Sequence, residues 1–343
     1  MKWKEEYESL RKYIMDNPEI VINTTEVSVP QNLREEFYRR FDAIRRNFVE
    51  DHSPSMLVDF NSLCDNYLRI EKEVTELLGL EGVQMPMDLF SFVHTPSEGL
   101  MRILYNRVFD LLQGKTEIGA FEEQAVHDLR SVAAELYRLG YEQWAALVMI
   151  KLLEPDQAFF VDLDDDYKPF LTELKSISFG RQAHHPTMRI PEFVLHSRKL
   201  NRLVAVKMAL AGEIEGYVAP FKPAVRPRKK TGDTSFALDS RVMILSFMAS
   251  PEDIPVIADI YDLKLKNPDW MMEFISAREL EDPWAMAQVK ARVAAMKPQF
   301  GSCLVLIDAG RELTPEEIPE KVRVVSVGFD QAKLQPVVDS LLG

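Results

Sequence analysis

Polar or small residues follow three of the apolar segments near the end of the chain, where a ligand could bind. They are Ser250, Ser276, Arg278, Asp308 and Gly310. If the apolar segments are parallel strands, these residues lie beyond the carboxyl ends of the strands, where open α/β sheets bind ligands. The guanidinium of Arg278 has the fork geometry that suits a phosphate. We therefore predict a crevice for a nucleotide-like ligand; the alternative is that Arg278 pairs with a neighbouring glutamate at the surface.

Four short apolar runs have the length of buried β-strands and would position this crevice. They lie at residues 241–247, 270–276, 302–308 and 321–327. Helix-starting signals such as Asp282-Pro283 stand between or after the runs. Right-handed crossovers turn this order into a parallel sheet that helices cover on both faces. Residues 240–343 are therefore predicted to form a four-stranded parallel-sheet, three-layer α/β domain of the flavodoxin type.

The preceding part of the chain is predicted to be helical, because its apolar residues recur at spacings of three and four. Such stripes occur at residues 32–49, 56–78, 99–112 and 197–214. The segments on either side of Gly140 are expected to form a helical hairpin. We predict a multidomain protein of the α plus α/β class, with an all-helical region over residues 1–215 that divides into two possible sub-bundles, 1–114 and 115–215.

A proline-rich, basic segment over residues 216–239 is predicted to be the linker between the two parts. Its basic residues are Arg226, Arg228, Lys229 and Lys230. They could contact phosphate or an acidic partner, or they could simply keep an extended linker solvated.

The net charge and the number of cysteines indicate which partners and which cellular compartment to expect. The net charge of −13 disfavours binding to nucleic acid or to anionic membranes. The two cysteines, Cys64 and Cys303, are far apart, as in proteins of reducing compartments. The acidic run Asp162–Asp166 is expected to be a solvated turn before a helix, and it lacks the spacing of calcium ligands. The pair His184 and His185 also lacks the spacing of metal ligands. We expect a cytoplasmic protein without a signal peptide, membrane span, metal site or bound cofactor.

The C-terminal part resembles Toll/interleukin-1 receptor (TIR) domains. The stretch VMILSFMASPEDIPVIADIY at residues 242–261 is similar to the first sequence box of that family, a strand that ends in Ser-Phe before an acidic residue and an amphipathic helix. The stretches MMEFISARELEDPW and SCLVLIDAG, which begin at Met271 and Ser302, are similar to bacterial TIR-like domains. The resemblance covers about a hundred residues.

This resemblance implies one of two functions: signalling through protein–protein contacts, or cleavage of NAD at its nicotinamide bond. The catalytic glutamate of the family follows a serine three residues earlier on a later helix. Glu316 and Glu317 stand near that connection without such a serine, and Glu279 lies too early in the chain. We therefore expect an interaction or signalling protein that binds a protein partner or a second copy of itself, with NAD as a possible substrate.

Two other enzymatic interpretations use different residues. Asp259 and Glu273 could form the carboxylate pair of a metal-dependent nuclease, although Ile275 stands where such sites place a lysine. Arg46 and His52 resemble the Arg-Asn…His motif of HEPN ribonucleases, in which these residue types stabilise and protonate a cleaving phosphodiester. The alternative for His52 is a favourable position at the carboxyl end of a helix.

The linker prediction can be tested by limited proteolysis of the full-length protein. Because few contacts are expected to cross a proline-rich basic linker, a protease should cut between Pro220 and Asp239 and leave two folded fragments. Mass spectrometry of the fragments locates the cut. Cleavage scattered through residues 1–215 with the linker intact would contradict the domain division.

Overall fold

The computed structural model describes residues 1–166, 168–179, 191–210, 241–254, 267–276, 279, 281–307 and 321–342. The chain divides into two compact units. The first comprises Met1–Leu68 and Pro86–Gly140, and the second comprises Arg69–Met85 and Tyr141–Gly343. The first unit is mainly helical and the second contains a mixed sheet, so the broad α plus α/β class is confirmed. The predicted linker 216–239 lies outside the described residues.

Helices dominate the chain up to Leu152. They are α1 (Lys2–Asp16), α2 (Arg34–His52), α3 (Pro54–Leu78), α4 (Met87–His94), α5 (Pro96–Met101), α6 (Leu104–Leu112) and α7 (Ile118–Leu152). A small antiparallel pair, β1 (Val21–Ile22) and β2 (Val27–Ser28), follows α1.

Aromatic side chains form much of the core of the first unit. The stripe predicted for α2 is buried, with Phe37, Phe41 and Phe48 fully inaccessible. The ring of Trp3 lies 5.3 Å from the rings of both Phe48 and Phe121, in edge-on and tilted arrangements that aromatic pairs favour. The spacing of apolar residues therefore identified the buried face of α2 correctly.

The expected hairpin around Gly140 is wrong, because α7 continues through this residue without a turn. A Cβ atom at Gly140 would lie 3.1 Å from Leu63 Cδ2 on α3. The glycine thus serves close side-chain packing within a helix. A turn was predicted because glycine ends helices more often than it allows close contacts inside them.

The remaining strands of the described chain lie after α7, apart from β3, which lies between α3 and α4. They are β3 (Gly82–Gln84), β4 (Pro155–Leu163), β5 (Pro169–Glu173), β6 (Ser176–Ser178), β7 (Phe193–Ser197), β8 (Arg202–Leu210), β9 (Arg241–Met248), β10 (Trp270–Ile275), β11 (Ser302–Leu306) and β12 (Val322–Ser326). Eight of the described strands form one sheet in the order β12-β11-β10-β9-β8-β7-β4-β5. The short strands β3 and β6 pair in parallel.

An all-helical region that reaches residue 215 is therefore not what the structure contains. The predicted division into two domains at residues 216–239 is not found either, because β8 before this segment and β9 after it are neighbouring strands of one sheet in the second unit. The helix predicted at residues 197–214 is the end of β7, a turn and strand β8. Strand β8 is buried along most of its length, so its apolar residues do not alternate with polar ones, and the pattern was misread as helical. The acidic run Asp162–Asp166 lies at the turn between β4 and β5, so a strand follows it and not a helix.

The four C-terminal strands lie where the sequence predicted them, but they do not form a four-stranded parallel sheet. Strands β10, β11 and β12 are parallel to one another, whereas β9 is antiparallel to β10 and to β8. Central strands of a sheet covered on both faces are apolar whatever their direction. The apolar runs therefore revealed the strands and left their relative directions open.

Helices of the second unit flank this sheet. Helix α8 (Pro283–Met296) lies in the chain between β10 and β11, and Asp282 caps it by accepting a hydrogen bond from the Trp284 amide at 3.0 Å. Helix α9 (Gln335–Asp339) stands between two 3₁₀ turns near the chain end. Just before it, the Phe329 ring lies 5.5 and 5.2 Å from the rings of Tyr141 and Trp144 on α7.

Leu245 and Leu306 test the assignment of the central strands. They are 0% and 2% exposed, on β9 and β11 respectively. Truncation of either side chain to alanine removes buried apolar atoms and leaves a cavity, so we expect each variant to lose about 2–5 kcal/mol of unfolding free energy. Urea denaturation measures the loss.

The matched control for these two variants is Leu342→Ala, because Leu342 is 54% exposed. It should change the unfolding free energy by less than about 0.5 kcal/mol. Equal stability of all three variants and the unmodified protein would show that the strand assignment is wrong.

Candidate functional site

Ser276, at the end of β10, is held in a reciprocal capping arrangement with Glu279. The Ser276 amide and hydroxyl both donate to Glu279 Oε2, at 2.8 and 2.9 Å. The Glu279 amide donates in turn to the Ser276 hydroxyl at 3.2 Å. This is the capping box that stabilises the first turn of a helix. The serine–glutamate pair is therefore engaged in fixing the turn after β10.

Ser250, after β9, takes part in the same kind of motif. Asp253 Oδ2 accepts from the backbone amides of Ala249 and Ser250, at 3.3 and 3.2 Å, and the Ser250 side chain completes the box. The Ser250 hydroxyl also hydrogen-bonds to Glu252 and is the main cause of the lowered pKa of that carboxyl. Both serines predicted to bind a ligand thus stabilise the turns that end their strands.

The register of β9 and β10 separates these two serines. Trp270 lies opposite Leu245, and Glu273 lies opposite Val242. Because the two strands are antiparallel, the carboxyl end of β9 is at the edge where β10 begins. Ser250 and Ser276 therefore lie at opposite edges of the sheet and cannot share one crevice. Arg278, Asp308 and Gly310 lie outside the described residues.

A buried ion pair lies beneath α8, at residues that the sequence had not linked. Arg292 donates to Glu273 Oε2 from Nε at 3.0 Å and from Nη2 at 2.6 Å. The two residues are 6% and 2% exposed. Burial raises the pKa of Glu273, and the neighbouring guanidinium opposes that rise. A doubly hydrogen-bonded contact of this kind holds α8 in one position on the sheet.

Two more buried polar residues belong to the same region. Gln288 is 3% exposed and lies one helical turn before Arg292, while Ser302 is 5% exposed at the start of β11. This cluster was not predicted, although the sequence contains polar residues at positions where the pattern of burial predicts apolar ones. Gln288 and Arg292 are four residues apart on a helix whose other inward positions are apolar, and Glu273 interrupts an apolar run.

The burial of Glu273 argues against its role in the carboxylate pair of a metal-dependent nuclease. Its carboxylate is enclosed beneath α8 and bonded to Arg292, so it is not open to solvent. Ile275, which stands in place of the lysine, packs in the core with Leu304 and Leu306. Asp259 lies outside the described residues.

The Arg46 and His52 pair is likewise not brought together. His52 ends α2, stacks on Phe48 with ring centroids 4.4 Å apart and lies 3.4 Å from Glu122. Arg46 is exposed and six residues earlier, which places it about a third of a turn around the helix from His52. His52 lies in the last turn of α2, at the carboxyl end of the helix, where the helix dipole favours a positively charged side chain.

Among the residues that the structure describes, no three His, Cys, Asp or Glu side chains are grouped so that they could hold a metal ion. The run Asp162–Asp166 covers the end of β4 and the beginning of the turn after it, where Asp164 accepts from the amides of Asp166 and Lys168, at 3.0 and 2.7 Å. His184 and His185 lie outside the described residues. No helix in the described part of the chain is both long and apolar enough to cross a membrane.

Comparison with known proteins gave no match to a family model, to a curated protein or to a solved structure.

Substitutions at the buried ion pair test its role. Arg292→Met leaves the Glu273 carboxylate buried without its partner, and we expect it to cost about 3–5 kcal/mol of unfolding free energy. The double variant Glu273→Leu, Arg292→Met removes both charges and should recover most of that loss. Denaturant unfolding of the full-length protein measures both effects.

Lys290→Met is the matched control, since Lys290 lies on the same helix and is exposed. It should be neutral to within about 0.5 kcal/mol. If Arg292→Met is no more harmful than this control, Arg292 does not fix α8 on the sheet.

Proposed function

We propose that this protein is an intracellular interaction or signalling protein that associates with a second copy of itself, and that its helical part supplies a contact surface. The observation that carries the proposal is an exposed stripe on α4, formed by Met87, Phe90 and His94. Met87 and Phe90 are 67% and 47% exposed. Their spacing of three and four places them on one side of the helix with His94.

The stripe on α4 is distinct from the face that packs inside the first unit. Leu89, Phe92 and Val93 point into the core and are fully buried. The ring of His94 lies 4.2 Å from the ring of Phe90, and its Nδ1 is 3.0 Å from the Phe90 carbonyl oxygen. The two rings therefore lie against each other on the helix surface. Aromatic and methionine side chains are enriched in protein interfaces, where burial of their apolar surface favours association.

The resemblance to TIR domains is the second support, and it concerns residues 240–343. The structure departs from the four-stranded parallel sheet that the resemblance implies, because β9 is antiparallel to β10, so the resemblance is proposed on the remaining strands. What supports it is the parallel arrangement of β10, β11 and β12, with α8 in the connection between β10 and β11. Proteins of that family signal through contacts between such domains.

NAD cleavage is the alternative that the same resemblance implies. Glu279 is the described glutamate that follows a serine by three residues, and its Oε2 accepts two hydrogen bonds from Ser276. That arrangement is a helix cap and favours a structural role for Glu279. Glu316 and Glu317 lie outside the described residues. Incubation of the purified protein with NAD, followed by chromatography, distinguishes NAD cleavage from an interaction function. Release of nicotinamide would replace the interaction proposal with the enzymatic one.

Sedimentation velocity over a range of protein concentrations tests self-association. We expect a monomer–oligomer equilibrium in roughly the micromolar range, typical of modest interfaces. Phe90→Asp places a charge in the middle of the stripe and should weaken association at least about tenfold, because a charge in an apolar contact must be desolvated.

Met15→Asp is the control, since Met15 is 70% exposed on α1, away from the stripe in sequence. It should leave the association constant unchanged. A protein that stays monomeric at all concentrations, or one that associates equally well with Phe90→Asp, would contradict the proposal.

A further inference from the structure

His94 is the ionisable member of the exposed stripe on α4, and the hydrogen on its ring can be assigned. Its Nδ1 lies 3.0 Å from the Phe90 carbonyl oxygen. Because a carbonyl oxygen only accepts hydrogen bonds, Nδ1 must carry a hydrogen and donate it. In the neutral ring Nε2 then has the lone pair at which a further proton binds. The charge of the stripe therefore depends on Nε2 of His94.

The ring of His94 lies in the part of the stripe that a partner must cover. His94 is exposed, and its ring centroid is 4.2 Å from that of Phe90, with 31° between the two planes. Phe90 is itself 47% exposed. A contact that buries the Phe90 ring therefore also takes the His94 ring out of water.

No charged side chain among the residues that the structure describes pairs with His94. The other charged residue of α4, Asp88, is bound to Arg102 at 3.3 Å, and Arg102 also donates to the Ser91 hydroxyl at 3.1 Å. A positive charge on His94 would therefore enter a contact without a counter-charge from its own chain.

Helices α3, α5 and α7 pack against the buried side of α4. Phe60 of α3 and Gly99 of α5 contact Phe92, and Gly140 of α7 lies beside Leu89. Phe92 and His94 are two positions apart, which is roughly 200° around the helix axis. Side chains of Asp, Glu and Arg keep their charges between about pH 5.5 and pH 7.5, so His94 is the group here that changes charge in that range. The charged residues beside these contacts are Asp59, Asp65, Glu98 and Arg138.

A contact between two identical chains makes the charge of His94 doubly unfavourable. Closed pairs of identical chains use the same surface patch on both copies, so both His94 rings enter the contact. Each charge must be desolvated when Phe90 is covered, and the two like charges repel each other. A neutral His94 has neither effect.

We propose that protonation of His94 at Nε2 reverses the self-association formed by the α4 stripe. This regulation rests on the self-association proposed above. The chains associate at neutral pH and separate as the pH falls through the range in which histidine takes up a proton, around pH 6.5.

The overall charge of the chain predicts the opposite trend, so the direction of the effect is informative. The net charge is −13 at pH 7. Acidification adds protons and makes this charge less negative, which weakens the general repulsion between copies. Dissociation at lower pH therefore requires a local group such as His94 in the contact.

Sedimentation velocity of the full-length protein at about pH 7.5 and pH 5.5 tests the regulation. If only chains with a neutral His94 associate, about a tenth of them are competent at pH 5.5, so the dissociation constant should rise at least about tenfold. Circular dichroism at both pH values confirms that the fold persists. An unmodified protein that associates equally well or more tightly at the lower pH would overturn the regulation and leave the self-association standing.

Two histidine variants locate the responsible group. His94→Gln cannot take up the proton, so its dissociation constant should be the same at both pH values. His127→Gln is the control, since His127 is an exposed histidine on α7, and it should keep the full pH dependence. Dissociation on acidification that persists in His94→Gln would overturn the inference. A protein that is monomeric already at pH 7.5 would overturn the self-association itself, and the regulation with it.

A histidine titration by NMR tests the same linkage in the unmodified protein. Because linkage is reciprocal, association must in turn oppose protonation of His94. The His94 ring signal, assigned by its loss in His94→Gln, should titrate at lower pH in concentrated samples than in dilute ones, whereas the His127 signal should not move. Equal titration midpoints for His94 at both concentrations would overturn the inference, even if His94→Gln failed to associate.

Discussion

The ion pair between Glu273 and Arg292 is the constraint on which the C-terminal part of the structure depends. A carboxylate on a fully buried strand cannot be left without a partner, because the free energy of removing it from water is several kcal/mol. Arg292 supplies that partner from α8 with two hydrogen bonds to one oxygen. The rotation and position of α8 on the sheet therefore follow from electrostatics as well as from the apolar contacts of Met286, Val289 and Met296.

Strand direction decides which residues can act together. Because β9 runs against β10, the segments after these two strands leave the sheet at opposite edges. The parallel strands β10, β11 and β12, by contrast, all end at one edge, so a ligand crevice on the sheet would have to be built from their loops. Ser276 lies at that edge, and Ser250 does not.

The polar residues after β9 and β10 show how one sequence pattern serves two purposes. A serine followed three residues later by Asp or Glu can contribute to a catalytic site, and it is also the pattern of a capping box. Both Ser250 and Ser276 form such caps with their acidic partners. Their side chains satisfy backbone amides that would otherwise lack partners where each strand turns out of the sheet.

The sequence by itself determined the local elements. The apolar stripe of α2, the Asp282 cap of α8 and the four C-terminal strands are each marked by a pattern of residues close together in the chain, and the structure places them where the pattern predicted. It did not determine strand β8 or the unbroken helix at Gly140, since these depend on burial on both faces of a sheet and on close packing against Leu63.

Only the tertiary structure decided the direction of β9, the distance between Ser250 and Ser276, and the meeting of Glu273 with Arg292. Each of these results from contacts between segments far apart in the chain or on different elements, and residues with the same apolar pattern are compatible with several such arrangements. The partner of a buried charge is set by three-dimensional position. A sequence can therefore reveal that Glu273 needs a partner, whereas the fold alone shows that Arg292 provides it.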